Sequence, residues 1–290
     1  MTKLRKMVPG INIHPILFIF AVTAFLTGTI VEFILIFTIV IIHELGHLSM
    51  AVYYKWRIRR INLWVFGGVM ETEEHSCKPV KEEAYILLAG PLQHLWIYIL
   101  LYALSYMDIL PQAIVDLGYL YNTTILAFNL LPVWPLDGGK LLFLLLGQFL
   151  SFRKAHSAAV FISLIFSSVA ILLSLILFPF TLSSVLLAGF ILWENRLEWK
   201  RRYYVFMRFL YKRYSTNPVL GRVRPVVACS DEQLIDVFSH FKRSSRHHIY
   251  VKNDSRSLSC CWIDERDCLH AYFGVKQYKI TAGEISGQNH

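Results

Sequence analysis

Charge is what this chain has little of. Only 17% of its 290 residues are Asp, Glu, Lys or Arg, against about 25% in an ordinary soluble domain. The shortage is uneven: residues 1–199 are almost continuously apolar, whereas 200–290 have ordinary soluble composition. A single water-soluble globule is therefore excluded. The cysteines lack pairing signals. The five (Cys77, Cys229, Cys260, Cys261 and Cys268) are odd in number and show no Cys-x-x-Cys spacing. This argues against a disulfide framework and against a cysteine zinc site, and they read as reduced thiols in a cytosolic setting. Internal repeats and low-complexity tracts are absent as well. Lys3, Arg5 and Lys6 ahead of an apolar run resemble a signal peptide, but no small-residue cleavage site follows. That run reads as a retained span.

What is present is a series of long apolar runs: Ile11–Val31, Phe33–Tyr53, Ala84–Tyr106, Leu117–Leu150, Ala155–Phe178 and Thr181–Trp199. A membrane helix needs about 20 such residues. Glu32 is expected in a tight turn between the first two. The fourth run, 34 residues long, would extend about 51 Å as one helix, too long for a hydrocarbon core of about 30 Å. Pro132, Pro135, Gly138 and Gly139 mark where it breaks. Irregular backbone at membrane depth is tolerated only inside protein or beside a wet cavity, so the break is itself a site candidate.

Lysine and arginine are missing from every second loop. Basic clusters precede the first run and follow the second (Lys55, Arg57, Arg59, Arg60), the fourth (Arg153, Lys154) and the sixth (Lys200, Arg201, Arg202). The loops near Glu32, Met107–Asp116 and Pro179 have none. By the positive-inside rule six spans then place both termini in the cytoplasm. The net charge of +9 thus follows topology and does not point to nucleic acid. The expected layout is a mainly α, six-span membrane domain over 1–199, an amphipathic linker over 200–220 suited to an anionic bilayer surface, and a small cytoplasmic α/β module over 221–290. Ile61–Met70, rich in β-branched and aromatic residues, reads as one or two strands at the membrane surface. Its Gly67-Gly68 pair lies on a candidate edge for an extended peptide.

The second run holds His43-Glu44-Leu45-Gly46-His47. Histidines four apart lie on one helix face and can grip one metal ion. Glu44, about 100° round the helix, can act on a water without being a ligand. Zinc lowers the pKa of such a water towards about 7 and polarises a carbonyl; a glutamate then serves as general base and later as acid. On a soluble helix this pattern is often a surface ion pair. Near mid-membrane a charged group costs about 2.5–3.5 kcal/mol on insertion scales, so the pattern demands a function. A catalytic zinc takes three protein ligands. Asp137, the one acidic residue in the broken stretch Asn129-Leu-Leu-Pro-Val-Trp-Pro-Leu-Asp137-Gly-Gly, is the best third. A helix cap is its bland alternative. The glycines behind it let another backbone approach. His94 competes for the ligand role but reads better as a hydrogen-bonded core or supporting residue. His14 and His156, near span ends, read as interfacial. Asn129 is expected to steady the break or to hold a substrate backbone, and Asn129, Pro135, Gly67 and Gly68 are the expected substrate contacts.

HELGH in a second span paired with NLLPVWPLDGG in a fourth resembles the site-2 protease family of intramembrane metalloproteases. The six-span layout with a C-terminal module is similar to its sporulation branch. The tail, from VVACSDEQLIDVF through HHIYVKN to ERDCLHAYF, resembles a cystathionine-β-synthase (CBS) domain. The resemblance implies one zinc per chain on His43, His47 and Asp137 with Glu44 as base. It implies cleavage of a membrane-associated regulatory protein, an inactive sigma-factor precursor, under inhibitory membrane partners. It also implies adenine-nucleotide sensing by paired CBS modules. With one module here, such a site requires a homo-oligomer, and no residue is assigned to it. Two other classes compete. A metal-ion or proton transporter explains intramembrane His and Asp but not Glu44, and repeated halves are missing. A nucleotide-sensing scaffold leaves the membrane histidines unexplained.

Overall fold

Long apolar segments in this chain become helices whose ends are closed by the chain itself. The computed structural model describes residues 10–13, 15–64, 67–72, 78–177, 182–216, 222–252 and 261–288. Helices α1 (Pro15–Thr27), α2 (Ile30–Tyr53) and α3 (Val80–Tyr106) all end in the same way. At the first end Thr29 N–H bonds the Ala24 carbonyl at 2.8 Å and Gly28 N–H bonds Phe25 at 3.3 Å. This Schellman arrangement satisfies carbonyls that would otherwise be orphaned. It needs a left-handed residue, here Gly28 at φ +76°, with Lys55 and Asp108 in the equivalent places after α2 and α3. The turn expected at Glu32 therefore falls at Gly28–Thr29, because glycine takes that conformation without strain. Glu32 instead lies in the first turn of α2, where it accepts a hydrogen bond from the Tyr121 hydroxyl at 2.9 Å.

Residues 11–13, expected to open the first span, instead join a sheet. Strand β1 (Gly10–Ile13) pairs parallel with β2 (Ile58–Trp64), which pairs antiparallel with β3 (Gly67–Thr72), in the order β1-β2-β3. Backbone donors in the first strand find partners there. The run expected over Ile61–Met70 is thus a hairpin, with Gly67 opposite Trp64 and Gly68 opposite Leu63 on an edge strand.

The long fourth run breaks where its prolines and glycines stand, giving α4 (Gln112–Leu130) and α5 (Asp137–Phe149). Helix α6 (Phe152–Leu177) follows, then α7 (Leu182–Thr216), which carries the stretch expected as a linker onward as helix to 216. Among the described residues three helical segments are long and apolar enough to cross a membrane: Ile30–Tyr53, Val80–Tyr106 and Phe152–Leu173. A shorter apolar helix spans Leu17–Thr27.

Two compact units emerge, one of residues 1–131 with 136–138, the other of 132–135 with 139–290. In the first, Ile39, Ile97, Leu101 and Val115 form one core cluster, and Ala51, Trp56 and Ile86 a second. In the second, β4 (Val223–Cys229) pairs parallel with β5 (Arg246–Lys252), which pairs antiparallel with β6 (Cys261–Asp264). Helices α8 (Leu234–Phe238), α9 (Glu265–Leu269) and α10 (Ala282–Gln288) accompany the sheet, with a π-helical turn after α9. Arg213 at the end of α7 forms a buried ion pair with Glu265, which also accepts from His247. Burial pushes the Glu265 carboxyl up, but the His247 hydrogen bond and the Arg213 charge outweigh it and hold the group below the ordinary range. Burial also pushes the Cys268 thiol up to about 12, leaving it a protonated, inert core residue.

The irregular stretch between α4 and α5 has its own clamp within the second unit. Trp134 N–H donates to the Ser163 hydroxyl at 2.7 Å, Ser163 donates to Asn195 Oδ1, and Asn195 Nδ2 donates back to the Trp134 carbonyl at 2.7 Å. Ser163 and Asn195 are 1% and 0% exposed. One residue that leaves the helical ladder thus has both of its backbone groups satisfied by side chains, as apolar surroundings require. Asn195→Leu is expected to cost about 1–3 kcal/mol for each buried group left unpaired. This would appear as a lower apparent Tm in detergent, with the exposed control Thr23→Val unchanged.

Candidate metal centre

Helical spacing brings His43 and His47 to one face of α2, where both are buried. Their rings meet edge to face, with centroids 4.7 Å apart. Asp137 arrives from elsewhere in the chain as the first residue of α5. Its Oδ2 lies 3.1 Å from His43 Nε2 and 2.8 Å from His47 Nε2, and the two Nε2 atoms are 3.0 Å apart. His43, His47 and Asp137 are 3%, 6% and 5% exposed, and among the described residues they form the one His/Cys/Asp/Glu cluster with metal-ligand spacing.

The chemistry of this donor set fits a cation. His47 Nδ1 lies 2.7 Å from the Ile86 carbonyl, which can only accept, so Nδ1 carries the ring proton and Nε2 presents a lone pair. A carboxylate oxygen presents another. Such atoms repel unless a positive charge joins them. Tetrahedral zinc at about 2.0–2.1 Å holds neighbouring ligand atoms about 3.3 Å apart, close to the separations found. Glu44, half-buried one residue along α2, is not among the three.

Helix α3 leaves room for the imidazoles. A methyl at Gly90 would overlap His47 Nε2 and Cε1 and come within 2.8 Å of His43 Cε1. Gly46 plays the same part in reverse, because a methyl there would lie 2.5 Å from the Ala89 carbonyl. Small residues thus let α2 and α3 approach closely at the site. Behind Asp137, Gly138 packs on the Leu130 and Leu131 carbonyls, the close backbone approach expected of it, and Gly139 packs on Val133.

His94 is not in the metal-spaced cluster. Its Nε2 meets His43 Nδ1 at 3.1 Å and its Nδ1 meets Asn122 Oδ1 at 2.7 Å, the supporting place rather than the ligand place. Asn129 Nδ2 is turned to the Ile125 carbonyl of its own helix at 3.1 Å. Pro135 follows a cis peptide bond, and Gly67 and Gly68 open β3 in the sheet. His156, expected at an interface, is buried and bonds Glu198 at 2.9 Å. His14 and Cys77 lie outside the described residues. Sequence reasoning missed Gly90, Asn122 and the Ser163–Asn195 pair.

A buried His–His–Asp triangle between apolar helices, with a glutamate beside it, marks a metal-dependent peptidase of the membrane. The family model of peptidase family M50 matches residues 31–110 and 106–175, and the chain belongs to that family, the site-2 proteases. Among particular relatives, it is 38% identical over 286 residues to stage IV sporulation protein FB of Bacillus subtilis, covering 98% of this chain and 99% of that one. It is 36% identical over 137 residues to a zinc metalloprotease of Methanocaldococcus jannaschii, covering 44% of this chain and 38% of the other. The solved site-2 protease from M. jannaschii superposes with a TM-score of 0.52 at 27% identity, over 65% of this chain and 90% of that one.

Gly90→Ala is expected to weaken zinc binding at least tenfold, as metal content after dialysis against a chelator would record. Gly147→Ala, where a methyl meets open space, is expected to leave metal content unchanged.

Proposed function

We propose that this chain is an intramembrane zinc endopeptidase in which His43, His47 and Asp137 hold the metal and Glu44 is the catalytic base. The observation that carries the reading is the meeting of three buried lone-pair atoms within 3.1 Å of one another. Zinc, when bound there, polarises the scissile carbonyl and acidifies the attacking water. Glu44 takes the proton from that water and delivers it to the departing amine nitrogen. Glu44 lies about 100° round the helix from His43, so it can act on a water beside the metal without filling a ligand position. Burial of the ligands excludes bulk water, which strengthens each electrostatic interaction during the reaction.

The substrate must present an extended segment, since a helical peptide bond has its carbonyl engaged and its faces covered. The β3 edge at Gly67 and Gly68 supplies backbone groups for strand addition, and Asn129 and Pro135 contribute at the break. Full-length likeness to the Bacillus sporulation protein supports a membrane-associated regulatory substrate. An inactive sigma-factor precursor cut during sporulation, under inhibitory membrane partners, is the specific form of this reading. The β4–α8–β5–β6–α9 order of the tail supports a CBS-like regulatory module over 221–290 that adds control and no chemistry. Paired modules from two chains would be needed for an adenine nucleotide. The basic clusters support six spans with both termini in the cytoplasm.

Glu44→Gln is expected to cut product formation from a co-expressed membrane-bound precursor about 10²–10⁴-fold while zinc content stays at one per chain. Retained cleavage would remove Glu44 from the mechanism, and lost zinc would make it a ligand. A single cysteine replacing Arg57, on a background without native cysteines, is expected to react with impermeant maleimide only from the cytoplasmic side. Labelling from outside would overturn the topology.

A further inference from the structure

We propose that His94 and Asn122 are positioning residues that fix the ring proton of His43 on Nδ1 and so keep its Nε2 lone pair available to the metal. The proposal rests on the reading that His43, His47 and Asp137 bind zinc.

The argument is a chain of hydrogen bonds with one consistent solution. Asn122 Nδ2 lies 3.2 Å from the His94 backbone carbonyl. That oxygen can only accept, so the amide nitrogen faces it and Oδ1 is turned to His94 Nδ1 at 2.7 Å. Oδ1 also only accepts, so His94 Nδ1 carries the hydrogen. A neutral imidazole has one such hydrogen, which leaves His94 Nε2 bare. The contact of 3.1 Å between His94 Nε2 and His43 Nδ1 is then a bond donated by His43. With its proton committed to that side, His43 has a free pair on Nε2, the atom 3.1 Å from Asp137 and 3.0 Å from His47 Nε2.

Both supporting residues are 0% exposed, so no bulk water can substitute for them. They sit on α3 and α4, so the ring proton of an α2 ligand is set by two other helices. His47 needs no such relay, because a backbone carbonyl does the same for it directly. If Asn122 loses its acceptor, His94 is free to place its hydrogen on Nε2. It then donates to His43 Nδ1, pushes the His43 proton to Nε2 and blocks the ligand atom. Loss of an orienting partner of this kind weakens metal binding about 10–100-fold.

The test uses the full-length protein in detergent. Zinc affinity is measured by competition with a chromogenic chelator for wild type, His94→Gln, His94→Leu, Asn122→Asp and Asn122→Leu. Gln and Asp keep an acceptor at the critical place and are expected within about threefold of wild type. Both leucine variants are expected to fall 10–100-fold, while cobalt at saturation gives the same visible spectrum as wild type. Leucine variants that bind as wild type does, or glutamine and leucine at 94 equally impaired, would overturn the proposal. Nitrogen-15 histidine NMR of the zinc-loaded wild type, assigned with His94→Gln, reads the tautomers even if a leucine variant fails to fold. Nδ1–H on both His43 and His94 is expected, and Nε2–H on His94 would overturn the proposal. A wild type that holds no stoichiometric zinc would overturn the metal reading and this proposal with it. Stoichiometric zinc with unaffected leucine variants would overturn only the proposal.

Discussion

Three acceptor atoms from two distant parts of the chain occupy one buried point, and this one requirement orders much of the first compact unit. His43 Nε2, His47 Nε2 and Asp137 Oδ2 all present lone pairs within 3.1 Å, an arrangement that repels itself without a positive charge between the atoms. Everything nearby serves to hold them there. The 3.6-residue repeat aligns the histidines. Gly46 and Gly90 remove the side chains that would keep α2 and α3 apart. The Ile86 carbonyl and the His94–Asn122 pair commit each imidazole's proton to the side away from the site.

The same scarcity of water explains the break before Asp137. A carboxylate on a continuous fourth helix would be held to that helix's own periodicity, and the break at residues 131–136 frees Asp137 to begin a new one. Breaking a helix in apolar surroundings exposes peptide groups that must find partners. Gly138 packs its bare Cα side against the Leu130 and Leu131 carbonyls, where any side chain would collide. In the second unit Ser163 and Asn195 supply the partners of both Trp134 backbone groups. Ser163 in α6 and Asn195 in α7 therefore serve backbone geometry.

Much of the site was legible because membrane context amplifies it. HELGH on a soluble helix is weak, but in an apolar run His43, Glu44 and His47 carry an insertion cost that only function explains. The length of the fourth run alone demanded a break, and its prolines and glycines located it. What could not be read was whatever depends on which helices touch. Gly90 looks like any glycine in an apolar run until the His47 ring is found against it. Asn122 and Asn195 gain meaning only from partners 28 and 61 residues away. The first turn was misplaced because Glu32 looked out of place in an apolar run. Its charge is met by Tyr121 across the fold, and the turn belongs to the residue able to adopt φ +76°.

Helix α7 changes how the C-terminal module has to be understood. A flexible tether would let the module act only by occupying space near the membrane domain. Instead α7 runs 35 residues without interruption, about 52 Å, from the apolar region into the module, where Arg213 is locked to buried Glu265. The loop after α8 returns the connection. The Phe241 carbonyl accepts the Phe152 N–H at the start of α6 at 2.9 Å, and Phe152 stacks on Phe209 with centroids 4.0 Å apart. Lys242 bonds the Phe149 carbonyl at the end of α5. Attachment at two places, the buried Arg213–Glu265 pair and the polar contacts of Phe241 and Lys242, makes the module a packed extension of the end of α5, of α6 and of α7 within the second unit. Any ligand or partner that shifts the module must therefore either strain those helices or break buried bonds.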